Sequence, residues 1–115
     1  MHEGAIVKSI FESAKEIKSK EKLVEITTIK IIVGKFHQVV RDVMFTYFNN
    51  MKLEYKGFEQ AELKMIEKDV KVKCKSCKKE FTIDSPIMMC PYCNSFETEL
   101  ISGKELHIAT IQGTR

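Results

Sequence analysis

Four cysteines in two pairs constrain this chain more than any other feature. Cys74-Lys75-Ser76-Cys77 is followed by twelve residues and then by Cys90-Pro91-Tyr92-Cys93. Each Cys-x-x-Cys pair forms a turn that aims two sulfurs at one point. Two such pairs at this separation are a strong signal for one tetrahedral metal ion. Amides following the first cysteine of each pair can donate hydrogen bonds to the thiolates. The residue after the second cysteine often turns left-handed, which suits Asn94 better than Lys78. Four sulfurs leave no open coordination position, so the site is structural rather than catalytic, and zinc is the expected ion. Iron suits tetrahedral sulfur equally well. A pair of disulfides is the competing reading, disfavoured in a reducing compartment.

The cross-link matters because the chain is short. A length of 115 residues allows one small domain or two very small ones, with a limited core. Hydrophobic residues make up 43% and charged residues 30%, which argues against wholesale disorder. Ile6, Val7 and Ile10 are interrupted by Lys8 and Ser9, so no signal-peptide core is expected. No stretch approaches the ~18 consecutive apolar residues of a membrane span. A soluble, cytoplasmic protein is expected. The formal charge is +3. Four thiolates on zinc carry about −2, bringing the loaded protein to about +1, which is weak support for a nucleic-acid partner. The cluster Lys71, Lys73, Lys75, Lys78 and Lys79 is read as local compensation for that centre.

The pattern along the chain predicts helix, strand, helix, strand, insertion, strand. Residues 4–20 carry Ile6, Val7, Ile10, Phe11, Ala14 and Ile17 on one helical face. Residues 22–33 are rich in β-branched side chains and end at Gly34. Residues 37–53 carry the stripe Val39, Val40, Val43, Met44, Tyr47, Phe48 and Met51, read as core packing. A second strand starts near Gln60, and its alternation changes phase near Glu67–Asp69, which predicts a bulge or a break. The third strand is expected over Leu106–Ile111, antiparallel to the second, with 112–115 frayed. The fold class is α+β: two helices on a three-stranded mixed sheet, with an inserted zinc-ribbon lobe. Residues 1–71 with 103–115 form the expected α/β domain, and 72–102 the zinc ribbon.

The chain begins Met1-His2-Glu3. A free α-amine, the backbone nitrogen of His2 and its imidazole can close adjacent chelate rings around one metal ion. The backbone nitrogen of Glu3 completes a square plane if the amide protons are displaced. Nickel(II) and copper(II) favour such nitrogen sites. On composition alone an ordinary exposed start competes with this reading. His37 and His107 lack any paired spacing and are read as packed or exposed residues.

Together these features resemble one family, the HypA/HybF hydrogenase maturation nickel metallochaperones. The resemblance rests on Met1-His2-Glu3, Ser9, Ile32-Val33-Gly34 and Phe48. It continues through Cys74, Cys77, Cys90-Pro91-Tyr92-Cys93-Asn94-Ser95 and Gly103-Lys104-Glu105-Leu106-His107-Ile108. It implies a carrier that binds nickel at Met1, His2 and Glu3, with His2 indispensable. It implies a partner GTPase of the HypB type and delivery to the [NiFe] hydrogenase large subunit, with urease served in some bacteria. Some members have an acidic residue just before the second helix. Val40 stands there, with Asp42 two residues on, so the resemblance carries no carboxylate ligand to that position.

The expected function is therefore nickel binding and transfer, with nickel as cargo and zinc as structural ion. No nucleophile–base pair points to an enzyme. The alternative is a zinc-ribbon nucleic-acid-binding module, with Lys71–Lys79 on phosphates and Phe81 or Tyr92 stacking on bases. An iron–sulfur-type electron carrier is a third class.

Overall fold

A computed structural model describes residues 3–83 and 87–115. The chain divides into two compact units. The first runs to Ile32 and adds Val39–Ile66 and His107–Arg115; the second joins Val33–Gln38 to Glu67–Leu106.

The first unit opens with α1, Glu3–Lys20, which buries Val7, Ile10, Phe11 and Ala14 at helical spacing. It ends in a Schellman turn. Leu23 N–H bonds the Lys18 carbonyl at 2.9 Å and Lys22 N–H the Ser19 carbonyl at 3.2 Å, with Lys22 left-handed at φ 56°. That turn takes up residues 21–23, so β1 is Glu25–Gly34, shorter than expected at its start. Strand β2 is Glu62–Lys68 and β6 is Leu106–Thr114, numbered with three intervening strands of the second unit.

These three strands form one mixed sheet in the order β2-β1-β6. The last strand therefore lies beside the first, not beside the second as expected. Val24 N–H bonds the Thr114 carbonyl at 2.6 Å and Thr27 Oγ1 bonds the Gln112 carbonyl at 3.2 Å, an antiparallel progression. The physical reason lies in composition. Strand β1 buries Ile26, Ile29 and Ile31, and its β-branched run suits the centre of a sheet. Strand β2, with Glu62, Lys64, Glu67 and Lys68, suits an edge. The same bonds keep residues 112–114 in the strand, where fraying was expected. Backbone pairing needs no apolar side chain, so the pattern gave no sign of it.

Helix α2, Arg41–Met51, starts four residues later than expected. Lys35–His37 instead form a 3₁₀ turn ending at left-handed Gln38, φ 52°, and Val40 is extended. Only Met44 and Phe48 of the expected stripe are fully buried; Val40, Val43 and Tyr47 stay exposed. The core centres on Phe11. Its ring stacks on Phe48 at 4.9 Å and on Tyr55 at 4.7 Å, and meets Phe58 edge-on at 5.6 Å. Each such pair adds about 0.5–1.5 kcal/mol beyond area burial.

The second unit is built on β3, Val70–Cys74, flanked by β4, Glu80–Ile83, and β5, Thr98–Ser102, both antiparallel to it. The phase change near Glu67–Asp69 is a break: β2 ends at Lys68, β3 begins at Val70, and Asp69 between them pairs with Lys35 at 2.8 Å. Val70, Val72 and Cys74 face inward while Lys71 and Lys73 face solvent. Gly34 and Gly103 cross so closely that a Cβ on Gly34 would overlap the Gly103 carbonyl. Gly103 also sits at φ +113°, a conformation that side chains rarely adopt.

Candidate metal centres

The two cysteine pairs fold into two turns with the same hydrogen bonds. In the first, Lys78 N–H bonds the Cys74 carbonyl at 3.0 Å and Cys74 N–H the Lys79 carbonyl at 2.9 Å. In the second, Asn94 N–H bonds the Cys90 carbonyl at 2.8 Å and Cys90 N–H the Ser95 carbonyl at 2.8 Å. Both residues that follow a second cysteine are left-handed, Lys78 at φ 67° and Asn94 at φ 61°. The turn therefore imposes its geometry even on a lysine. Amides also reach the sulfurs: Cys77 N–H lies 3.5 Å from Cys74 Sγ and Tyr92 N–H 3.4 Å from Cys90 Sγ. A contact not legible in the spacing ties the turns together, Ser76 Oγ to Ser95 Oγ at 3.2 Å.

All four sulfurs lie within 4.8 Å of one another. Cys74 and Cys93 are 3.5 Å apart and Cys77 and Cys90 3.6 Å. A tetrahedral tetrathiolate with bonds near 2.3 Å has sulfurs roughly 3.8 Å apart. The cysteines are free, and no sulfur pair approaches the ~2.05 Å of a disulfide. Cys74 and Cys90 are buried, Cys77 is half-buried and Cys93 exposed. The donor set fits one tetrahedral ion. Among the described residues it is the one group of three or more histidine, cysteine or acidic side chains able to hold a metal.

The electrostatics point the same way. The Cys77 amide, aided by the Ser76 amide, draws the Cys74 thiol down to about 6. The Ser95 amide draws Cys93 down too, but the Cys74 sulfur, burial and the other two sulfurs outweigh it, and Cys93 is pushed up to about 12. Without a cation the cluster therefore cannot ionise fully. A divalent ion reverses that logic by deprotonating the thiols it binds.

Two lysines of the cluster beside this centre have neighbours that suit them. In the sheet register Lys73 lies between Glu80 on β4 and Glu99 on β5, at cross-strand distance on either side. Lys79 Nζ sits 4.7 Å over the Tyr92 ring. Phe81 is paired with inward-facing Val72 and is half-buried. Lys71, Lys75 and Lys78 are exposed as well, and the Tyr92 ring is 59% exposed.

At the other candidate centre, Met1 and His2 lie outside the described residues. Glu3 opens α1, and its carboxylate accepts the Val40 N–H at 2.9 Å. It is 5% exposed, the one fully buried polar residue among those described. The Val40 amide holds its carboxyl below the usual carboxylate range, and its own amide adds to this. Glu3 thus caps the start of α2, satisfying an amide with no partner inside the helix. Val40 has no side chain that could cap, and nothing in the spacing of 37 residues announced this bond. Asp42 lies in the first turn of α2, where a negative charge suits the helix dipole. His37 Nε2 bonds the Lys104 carbonyl at 2.8 Å and His107 is exposed on β6, so neither joins a metal cluster.

Two helices, a mixed sheet and a ribbon with four convergent thiols define a small α+β metal-binding protein. Comparison with known proteins specifies it further. The family model for hydrogenase/urease nickel incorporation metallochaperones, HypA, matches residues 1–113, and the chain belongs to that family. Hydrogenase maturation factors HypA from Desulfosudis oleivorans and Moorella thermoacetica are 33% and 29% identical to it. The first alignment covers 97% of both chains, the second 98% of this chain and 99% of its relative. The solution structure of a nickel metallochaperone HypA from Helicobacter pylori superposes with a TM-score of 0.71 at 20% identity. It covers 99% of this chain and 98% of that one, so the fold is shared throughout.

Proposed function

We propose that this chain carries nickel(II) at its N-terminus and passes it on during [NiFe] hydrogenase maturation. In this reading the ligands are the α-amine of Met1, the backbone nitrogen and imidazole of His2, and the backbone nitrogen of Glu3. The observation that carries it is the match of residues 1–113 to a nickel metallochaperone family in a chain that begins Met-His-Glu. The Glu3 carboxylate supports the choice of backbone donors, because it is already bonded to Val40. Val40 offers no carboxylate in its place.

A carrier must hold nickel selectively and still release it. A terminal chelate does both: the amine and imidazole supply affinity at neutral pH, and each arm can be displaced in turn by a recipient's ligands. Zinc is the ion read for Cys74, Cys77, Cys90 and Cys93, where it cross-links the two turns of the ribbon. Four sulfurs enclose it, so it plays no part in binding substrate. The partners inferred from the family's role are a HypB-type GTPase and the hydrogenase large subunit, with urease as a further recipient. The compartment is read as the cytoplasm, and no helix among the described residues is long and apolar enough to cross a membrane.

The test is nickel titration of the protein with its native N-terminus unblocked, beside His2→Ala. One tight site in the native protein and its loss in the variant, with zinc content unchanged, is the expected result. Equal affinities refute the terminal site.

A further inference from the structure

Helices lose stability at glycine, yet α1 carries one in its first turn, Gly4. The place of the missing side chain is taken by the ring of Tyr47 from α2. A Cβ on Gly4 would lie 3.1 Å from Tyr47 Cε1, 3.2 Å from Cζ and 3.5 Å from Cδ1, so one edge of the ring lies against bare backbone. Core packing does not account for this contact. Tyr47 is 44% exposed and stands outside the stack that Phe11 makes with Phe48, Tyr55 and Phe58. Glu3, the residue before Gly4, is held at another point, its carboxylate on the Val40 N–H at 2.9 Å. Val40 is the N-cap of α2, and Tyr47 follows about two turns later. The first turn of α1 is therefore gripped at two consecutive residues, Glu3 by the start of α2 and Gly4 by a ring further along it.

We infer that Tyr47 is a positioning residue for the nickel chelate: its ring, seated on Gly4, holds the first turn of α1 and with it the backbone nitrogen of Glu3. The inference rests on the terminal site proposed above and names a residue that secures it from outside the ligand set. The Glu3 nitrogen is the last donor of that chelate, and Gly4 is the residue that follows it. A donor whose surroundings are already fixed loses less freedom when the metal binds, so less of the binding free energy goes into ordering it. Differences of this kind fall mainly on the dissociation rate. The Tyr47 hydroxyl is not required for the role, because ring carbons make the contact. The absence of a side chain on Gly4 is required, since a methyl group there would occupy the seat of the ring.

The test is the rate at which excess chelator strips nickel(II) from the full, zinc-loaded chain with an unblocked N-terminus, followed by the nickel absorption band. Tyr47→Ala should release nickel about tenfold faster than the native chain, and Tyr47→Phe should restore the native rate. Gly4→Ala separates positioning from stability. Its methyl group displaces the ring, which has room to move because it is partly exposed. Alanine is the better helix former, so the melting temperature should hold or rise while nickel leaves faster. Emission gives a second readout, since the chain has three tyrosines and no tryptophan. Nickel beside Tyr47 should quench part of the tyrosine emission, and Tyr47→Phe should lose most of that quenching. A native chain that binds no nickel would overturn the carrier reading together with this inference. Nickel bound by the native chain but released from Tyr47→Ala and Gly4→Ala at the native rate would overturn the positioning role alone, as would a Tyr47→Phe variant no slower than Tyr47→Ala.

Discussion

The Glu3 carboxylate accepts the Val40 amide hydrogen at 2.9 Å, so the first turn of α1 caps the start of α2 across 37 residues of sequence. That bond fixes the backbone of Glu3, whose nitrogen is the last donor of the proposed nickel chelate.

Removing this acceptor should loosen both. Glu3→Ala is expected to lower the melting temperature by several degrees and to weaken nickel binding, while Glu3→Gln, which keeps a carbonyl acceptor, should lose less of each. The pH dependence has a definite sign. The folded-state pKa of Glu3 is depressed, first by the Val40 amide, so its contribution is present above the ordinary carboxylate value and is lost as pH falls through the lower folded value. Melting curves of native and Glu3→Gln protein should therefore differ at neutral pH and converge in acid. A constant gap across that range would contradict the assignment.

Phe11 touches Phe48, Tyr55 and Phe58 with its ring fully buried. Phe11→Ala should cost about 3–5 kcal/mol, the usual range for a buried aromatic truncated to alanine. Urea unfolding followed by circular dichroism would show it as a lower midpoint. Phe11→Leu, which leaves a smaller cavity, should fall between the two.

Gly103 makes a strict backbone demand in the second unit. At φ +113° a side chain is strained, and its Cβ would lie 2.6 Å from the Val70 Cα. Gly103→Ala should destabilise this unit more than an exposed substitution, which typically changes stability by about 0.5 kcal/mol or less. Hydrogen exchange in β3 and β5 would report it, with faster exchange expected there and none of comparable size in α1.

Metal binding to the four cysteines should release protons, because Cys93 is pushed up to about 12 without an ion and must ionise to bind one. Calorimetry in buffers of different ionisation enthalpy measures that number. Affinity for zinc should fall as pH is lowered, since protons compete for every sulfur. Cys74→Ala with Cys93→Ala should abolish retention and unfold the ribbon around residues 72–100, whose few buried side chains give it little core of its own. One zinc per chain in the double variant would refute the site.

Much of this was legible because particular residues have few alternatives. Two Cys-x-x-Cys pairs specify convergent sulfurs, and the left-handed Asn94 follows from the turn they make. The apolar stripe of α1 and the phase break at Asp69 are local periodicities and were readable as such. What escaped reading was backbone partnership. The pairing of β6 with β1 and the extension of β6 through Gln112–Thr114 depend on main-chain groups, which every residue carries alike, and the Glu3 carboxylate found its partner in one such group, the Val40 amide. The late start of α2 has the same origin. Phe36 N–H bonds the Gly103 carbonyl at 3.0 Å, holding in a 3₁₀ turn a segment whose side chains would suit a helix.

The most direct test of the carrier function is nickel binding to the native chain beside the same chain extended by a short peptide before Met1. Extension turns the α-amine into an amide and makes His2 an interior residue. A free α-amine titrates near ~8, so it is available to a metal at neutral pH, whereas an amide is a far poorer donor. The native protein should bind nickel with a yellow square-planar spectrum, weakening as pH falls through the histidine range. The extended protein should lose both the spectrum and most of the affinity while keeping its zinc. Equal affinity and identical spectra for the two would contradict coordination through the Met1 amine.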